Sequence, residues 1–119
     1  MNLPEDGYLM RIFVGEGDRY KGKCLYEWIV SQALEFGLAG ATVLRGTMGF
    51  GANAHIKTSK IMRISEGLPM VIELVDTEKK LKAFLSTIDH AIVEGLATFE
   101  KARILFYRSR HLQDSDESK

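Results

Sequence analysis

Apolar positions along this chain follow two periods that succeed one another in a regular order. From Tyr8 to Val14 they fall on both sides of an alternation, with Met10, Ile12 and Val14 on one face and Leu9, Arg11 and Phe13 on the other. Both faces are largely apolar and Gly15 closes the run, which predicts a central strand. A polar connection, 15–22, follows. The spacing then turns helical from Lys23 to Phe36, where Leu25, Ile29, Ala33 and Phe36 form a stripe with Trp28 and Gln32 beside it. Gly37 stands where a helix end favours left-handed backbone. Ala41 to Arg45 predicts a second strand, Lys60 to Ser65 a short one, and Met70 to Val75 the strongest strand of the chain. A second helix is expected from Glu78 to Val93, capped by Asp76 or Thr77 and ended by Gly95. Its stripe is Leu81, Phe84, Leu85, Ile88 and Ile92. Leu96 to Tyr107 alternates over Ala102, Ile104 and Phe106 as a last strand.

The order strand, helix, strand, strand, helix, strand is that of the split βαβ, ferredoxin-like α+β fold. It places two helices on one face of a four-stranded antiparallel sheet. Leu9, Phe13, Val71 and Val75 then point to the opposite face, which this chain does not cover. An open apolar face calls for a symmetric homo-oligomer, and oligomerisation through the sheet face is expected. Residues 1–107 read as one domain and 108–119 as a polar, disordered tail.

Composition narrows the function. Lys plus Arg and Asp plus Glu both number 16, for a formal net charge of zero. The absence of a basic excess argues against a dedicated nucleic-acid binder. A neutral balance also favours association. Cys24 is the one cysteine, so neither an internal disulfide nor a thiolate zinc site is available, and a reducing compartment is the default. The opening residues show no signal-peptide pattern, and no apolar run approaches the ~20 residues of a membrane span. A cytoplasmic protein without membrane insertion is expected.

Candidate chemistry gathers between Gly40 and Ser59. Gly46, Gly49 and Gly51, with Phe50 between the last two, allow close approach of a ligand to the backbone. Arg45, His55 and Lys57 surround them. With Lys60, Arg63, Lys101 and Arg103 on neighbouring segments, Arg45 and Lys57 form a cation set suited to phosphate oxygens. Two nucleotide motifs are excluded. Gly49-Phe-Gly51-Ala-Asn-Ala54 matches a dinucleotide fingerprint, but no helical spacing follows it. The phosphate-loop pattern would need glycine where Ile56 stands. Gly15-Glu-Gly17 reads as a plain tight connection, and Asp89, His90 and Glu94 as a solvated charged face. No nucleophile–base pattern is present, so no catalytic residues are assigned. His55 is the one weak candidate for a metal ligand.

The run Gly40-Ala-Thr-Val followed by Gly49-Phe-Gly51 resembles the PII signalling proteins. The chain is more similar still to an uncharacterised PII-like family, through residues 11–19 (RIFVGEGDR), 25–27 (LYE), 37–46 (GLAGATVLRG), 49–51 (GFG), 68–69 (LP) and 75–76 (VD). The resemblance implies a trimer of ferredoxin-like subunits that binds an adenine nucleotide (ATP, ADP or AMP) in intersubunit clefts. It implies Thr42 near the adenine, the Gly49–Gly51 backbone near the phosphates, and a 46–59 loop that reorders for a protein partner. The lysine-bearing phosphate loop of PII proteins is reduced here to Glu94-Gly95-Leu96. Phosphate contacts must therefore come from other cations, with Arg45, Lys57, Arg63 and Arg103 the candidates. Gly40 to Gly51 is expected as the ordered cleft wall, and Ala52 to Ser59 as a mobile segment. Two alternatives are a metal-binding trimer similar to the CutA family, with His55 as a ligand, and a small interface enzyme using Glu16 or His55.

Overall fold

The computed structural model describes residues 6–60 and 67–110. Eight strands and two α-helices follow in order: β1 (Asp6–Gly15), β2 (Arg19–Tyr20), β3 (Lys23–Cys24), α1 (Leu25–Phe36), β4 (Gly40–Arg45), β5 (Met48–Gly49), β6 (Lys57–Thr58), β7 (Pro69–Asp76), α2 (Glu78–Ile88) and β8 (Leu96–Arg103). A single 3₁₀ turn, Asp89–Ala91, extends α2. Four strands build the main sheet in the order β4-β7-β1-β8, antiparallel throughout. With two helices on one face, the expected ferredoxin-like α+β fold is present.

The alternation read along β1 and β7 sorts side chains as expected. Met10, Ile12, Val14, Met70, Ile72 and Leu74 are buried beneath the helices, together with Leu25, Ile29, Ala33, Leu81, Phe84 and Ile88. Burying a side chain of this size stabilises the fold by about 1.5–3 kcal/mol, so this shared layer supplies the main driving force. Phe36, the expected end of the first stripe, sits at the rim and meets Phe84 edge-on, with ring centroids 5.5 Å apart.

Three element boundaries differ from the sequence expectation. The first helix begins at Leu25, because Lys21 (φ 50°) and Gly22 (φ 79°) close a two-residue hairpin that pairs Arg19 with Cys24 and Tyr20 with Lys23. Positive φ at both central residues matches the twist of a hairpin. The second helix stops at Ile88 and tightens into the 3₁₀ turn, whereas apolar spacing alone carried it to Val93, which is fully exposed. Strand β8 stops at Arg103, whose partner Asp6 is the first residue of β1. Ile104 then packs over Gly7, where a Cβ would lie 2.7 Å from Ile104 Cγ1. Of the short strand expected at Lys60–Ser65, residues 61–65 lie outside the described residues; Lys60 follows β6.

Of the helix ends expected from sequence, Gly37 and Thr77 form, whereas Gly95 lies beyond the 3₁₀ turn and does not end α2. Gly37 (φ 88°) donates its N–H to the carbonyls of Ala33 and Leu34, and the Thr77 hydroxyl accepts the N–H of Lys80. Asp76 has a different task from capping. It is buried, and its carboxylate accepts the N–H of Ala39 at 2.8 Å and of Thr77 at 2.6 Å, with Lys80 Nζ at 3.4 Å. It thereby ties the entry of β4 to the end of β7. Asp76→Ala removes the acceptor of two part-buried N–H groups and is expected to cost about 1–3 kcal/mol. Urea unfolding with an unchanged midpoint would contradict this.

The uncovered face is less apolar than the alternation suggested. Leu9, Phe13, Val71 and Val75 share that face as expected, Leu9 pairing with Val75 and Phe13 with Val71. Between these pairs Arg11 bridges Glu73 at 2.9 Å and Glu100 at 2.6 Å, so an ion triad crosses the centre of the face. The two carboxylates raise the Arg11 pKa, chiefly through their hydrogen bonds.

Candidate functional site

Antiparallel pairing brings the ends of β1 and β4 to the same edge of the sheet as the starts of β7 and β8. Gly15 pairs with Pro69, Phe13 with Leu96, and Arg45 with Met70. At that edge lies a cleft of about 910 Å³. Its walls come from four segments far apart in sequence: Phe13–Asp18, the 49–57 loop, Gly67 with Pro69, and Glu94–Leu96.

The first wall is a tight turn. Asp18 N–H donates to the Gly15 carbonyl at 3.1 Å, and Asp18 Oδ2 accepts the Gly15 N–H at 2.9 Å. The Asp18 carbonyl takes the Leu25 N–H at 2.9 Å and so seats the start of α1. Gly67 backs this turn. Its φ is 88°, and a Cβ there would lie 2.5 Å from Gly17 N and 2.9 Å from Glu16 Cβ. Gly95 is crowded in the same way, with a would-be Cβ 2.7 Å from the Phe13 carbonyl oxygen. These two glycines let the walls meet.

The second wall is the glycine loop, and its glycines divide by role. Gly46 donates its N–H to the Pro69 carbonyl at 2.7 Å, and a Cβ on Gly46 would come 2.9 Å from Pro69 Cγ. A Cβ on Gly49 would stand 3.1 Å from the same atom. Packing on Pro69 therefore accounts for both. Gly51 has nothing within 4 Å of such a position and faces open space. Beyond it the chain folds back as a two-stranded ribbon in which Met48 pairs with Thr58 and Gly49 with Lys57. Ala54 (φ 61°) turns the ribbon, with its N–H on the Gly51 carbonyl at 2.9 Å. Part of the segment expected to be mobile, Ala52–Ser59, is thus paired backbone. Met48, Phe50 and Ile56 are all more than three-fifths exposed on it.

The structure gathers some expected site residues and separates others. Gly49, Phe50, Gly51, Lys57 and His55 line the cleft. Arg45 stands behind it, paired with Glu16 at 2.7 Å. Thr42 lies mid-strand opposite Glu73, on the uncovered face and about 10 Å along the strand from Arg45. Arg103 is at the far end of β8, opposite Asp6, roughly 30 Å from Gly15. Arg63 falls outside the described residues. Gly15, Gly17, Asp18 and Glu94–Leu96 were not among the expected site residues, although the Gly15-Glu-Gly17 run was there to be read. Among the described residues, no three His, Cys, Asp or Glu side chains are grouped to hold a metal ion.

Outside the first wall, Tyr20, Trp28 and His90 form an aromatic cluster. Tyr20 and Trp28 centroids are 4.4 Å apart, and Tyr20 Oη is hydrogen bonded to His90 Nε2 at 3.0 Å. The cluster fastens the hairpin to the 3₁₀ turn that leads into Glu94–Leu96. Two walls of the cleft are thereby held together from behind.

The sequence from residue 7 to residue 104 matches the family model DUF190, described as "Uncharacterized ACR, COG1993". The chain belongs to this family. It is 37% identical over 98 residues to a UPF0166 protein of Aquifex aeolicus (strain VF5), a match covering 82% of this chain and 92% of that one. It is 32% identical over 84 residues to a UPF0166 protein of Methanocaldococcus jannaschii, covering 71% and 77%. Among solved structures, it superposes with a TM-score of 0.65 on CPII from Thiomonas intermedia K12, a nitrogen regulatory PII-like protein bound to ADP, AMP and bicarbonate. That match covers 87% of this chain and 90% of CPII at 12% identity. At such identity the likeness is one of fold, and the fold is PII-like. Among the described residues, no helix is long and apolar enough to cross a membrane.

Proposed function

We propose that this protein is a non-catalytic regulatory protein that binds an adenine nucleotide in the cleft and reports its presence through the 46–59 ribbon. The observation that carries the reading is the cleft itself, walled by glycine-bearing backbone and lined also by Phe13, Phe50 and Leu96. Aromatic and aliphatic side chains suit a purine ring. The glycine-bearing backbone of the loop and Lys57 beside it suit phosphate oxygens. CPII, of the same fold, is bound to ADP and AMP, which supports this class of ligand.

The reading includes a homotrimer formed through the uncovered sheet face. Phe13 and Leu96 belong both to that face and to the cleft wall, so a second copy seated there would also border the ligand. Thr42 and Arg103, remote from the cleft of their own chain, would then serve a neighbour's. The exposed apolar side chains of the ribbon offer a protein partner its contact surface.

Calorimetric titration with AMP, ADP and ATP is expected to show binding of at least one. Absence of both heat and thermal shift with all three at millimolar concentration would refute the reading. Light scattering is expected to give three times the chain mass, and a monomer at micromolar protein would remove the trimer.

A further inference from the structure

Glu16 occupies a particular place beside the cleft. The residues on either side of it, Gly15 and Gly17, both line the wall. Its own carboxylate points away to two other elements: Oε2 holds Arg45 at 2.7 Å, and Oε1 accepts the Leu68 N–H at 3.4 Å. Its backbone N–H donates to the Leu68 carbonyl at 2.9 Å. Arg45 is the last residue of β4, and the next residue, Gly46, begins the ribbon with its N–H on Pro69. One ion pair therefore joins the turn that forms the cleft wall to the root of the segment that projects from it.

Neither Arg45 nor Glu16 itself lines the cleft, so the pair stands just behind its wall. The Arg45 side chain is 59% exposed, and ion pairs in water are weak. Phosphate offers the guanidinium a stronger, bidentate acceptor. The other charged groups on the cleft do not add up to a positive site: Lys57 is accompanied there by Asp18 and Glu94.

We propose that Arg45 is exchanged between two acceptors, the Glu16 carboxylate when the cleft is empty and a nucleotide phosphate when it is filled, and that this exchange couples occupancy to the ribbon. The inference rests on the nucleotide reading above and assigns the residues that regulate that site. It has a consequence of sign. Glu16 competes with the ligand, so Glu16→Gln is expected to raise nucleotide affinity several-fold; the glutamine oxygen can still accept the Leu68 N–H. Arg45→Gln removes the phosphate contact and is expected to lower affinity about tenfold or more. A merely structural ion pair would move both variants in the same direction, because either change breaks the same contact.

The test is titration of the full-length wild type, E16Q and R45Q with AMP, ADP and ATP, with amide hydrogen exchange of residues 46–59 measured in the absence and presence of ADP. Opposite shifts in affinity are expected. Exchange in the ribbon should change on ADP binding in the wild type and no longer do so in R45Q. Binding by the wild type with both variants weakened, or both unchanged, would overturn the exchange and leave the nucleotide reading standing. No binding by the wild type would remove both.

Discussion

Gly67→Ala is expected to destabilise the protein by about 2–5 kcal/mol and to abolish ligand binding in the cleft. Two costs combine. The backbone at Gly67 has φ 88°, outside the range open to a residue with a Cβ, and forcing an L-residue into left-handed backbone costs about 1–2 kcal/mol. The added methyl would also lie 2.5 Å from Gly17 N and 3.0 Å from Glu16 N. Those are main-chain atoms, fixed by the bond from Glu16 N–H to the Leu68 carbonyl, so no side-chain rotation relieves the contact. Overpacking of this kind adds about 1–3 kcal/mol. The strain falls on the turn that forms the first wall. Urea unfolding gives the stability, and the titrations described above give the binding. An alanine variant that binds as the wild type does would show that the 15–18 turn is not part of the site. Gly51→Ala is the control: with open space around it, it is expected to leave stability nearly unchanged.

Phe84→Ala is expected to cost about 3–5 kcal/mol, the usual penalty for emptying a fully buried aromatic site. Phe84 is completely buried in α2 and is braced by Phe36 from α1. Removing it opens a cavity at the contact between the two helices and the sheet, where rigid elements on three sides limit collapse. For a domain of this size such a loss is a large fraction of a typical stability of about 5–15 kcal/mol. Reversible denaturation should show a lower urea midpoint with little change in slope. Phe84→Leu, which keeps most of the volume, is expected to recover more than half of the loss, and an equal loss in both would point to the ring contact with Phe36 instead of volume.

The helical layer was legible because the side chains that specify it are local. Leu25, Ile29 and Ala33 recur at helical spacing and are all buried; Met10, Ile12 and Val14 alternate and are all buried. Expectation parted from structure where local preference competes with a distant constraint. Ile92 continues the apolar stripe of α2, yet the backbone leaves the helix four residues earlier and must deliver Gly95 to its contact with the Phe13 carbonyl. Lys23 and Cys24 are compatible with a helix, but a two-residue turn claims them for a hairpin. Arg11 was placed on the uncovered face from sequence. That Glu73 and Glu100 flank it follows only from register.

The candidate site shows the same division. The glycine loop with Phe50, His55 and Lys57 could be found as one continuous stretch. The Gly15–Asp18 turn and Glu94–Leu96 could not, since nothing within either segment marks it as facing the other. They meet because β1 is the central strand, flanked by β7 on one side and β8 on the other, and antiparallel pairing sets Pro69 opposite Gly15 and Leu96 opposite Phe13. By itself the sequence determined the order of elements, the buried faces and the flexible-backbone positions, all of which depend on periods of a few residues. Tertiary structure alone decided which glycines hold Pro69 and which faces the open cleft, that Arg45 is bound to Glu16, and which walls enclose the cleft. Those facts depend on distances between segments up to about 80 residues apart in the chain, and only strand register sets them.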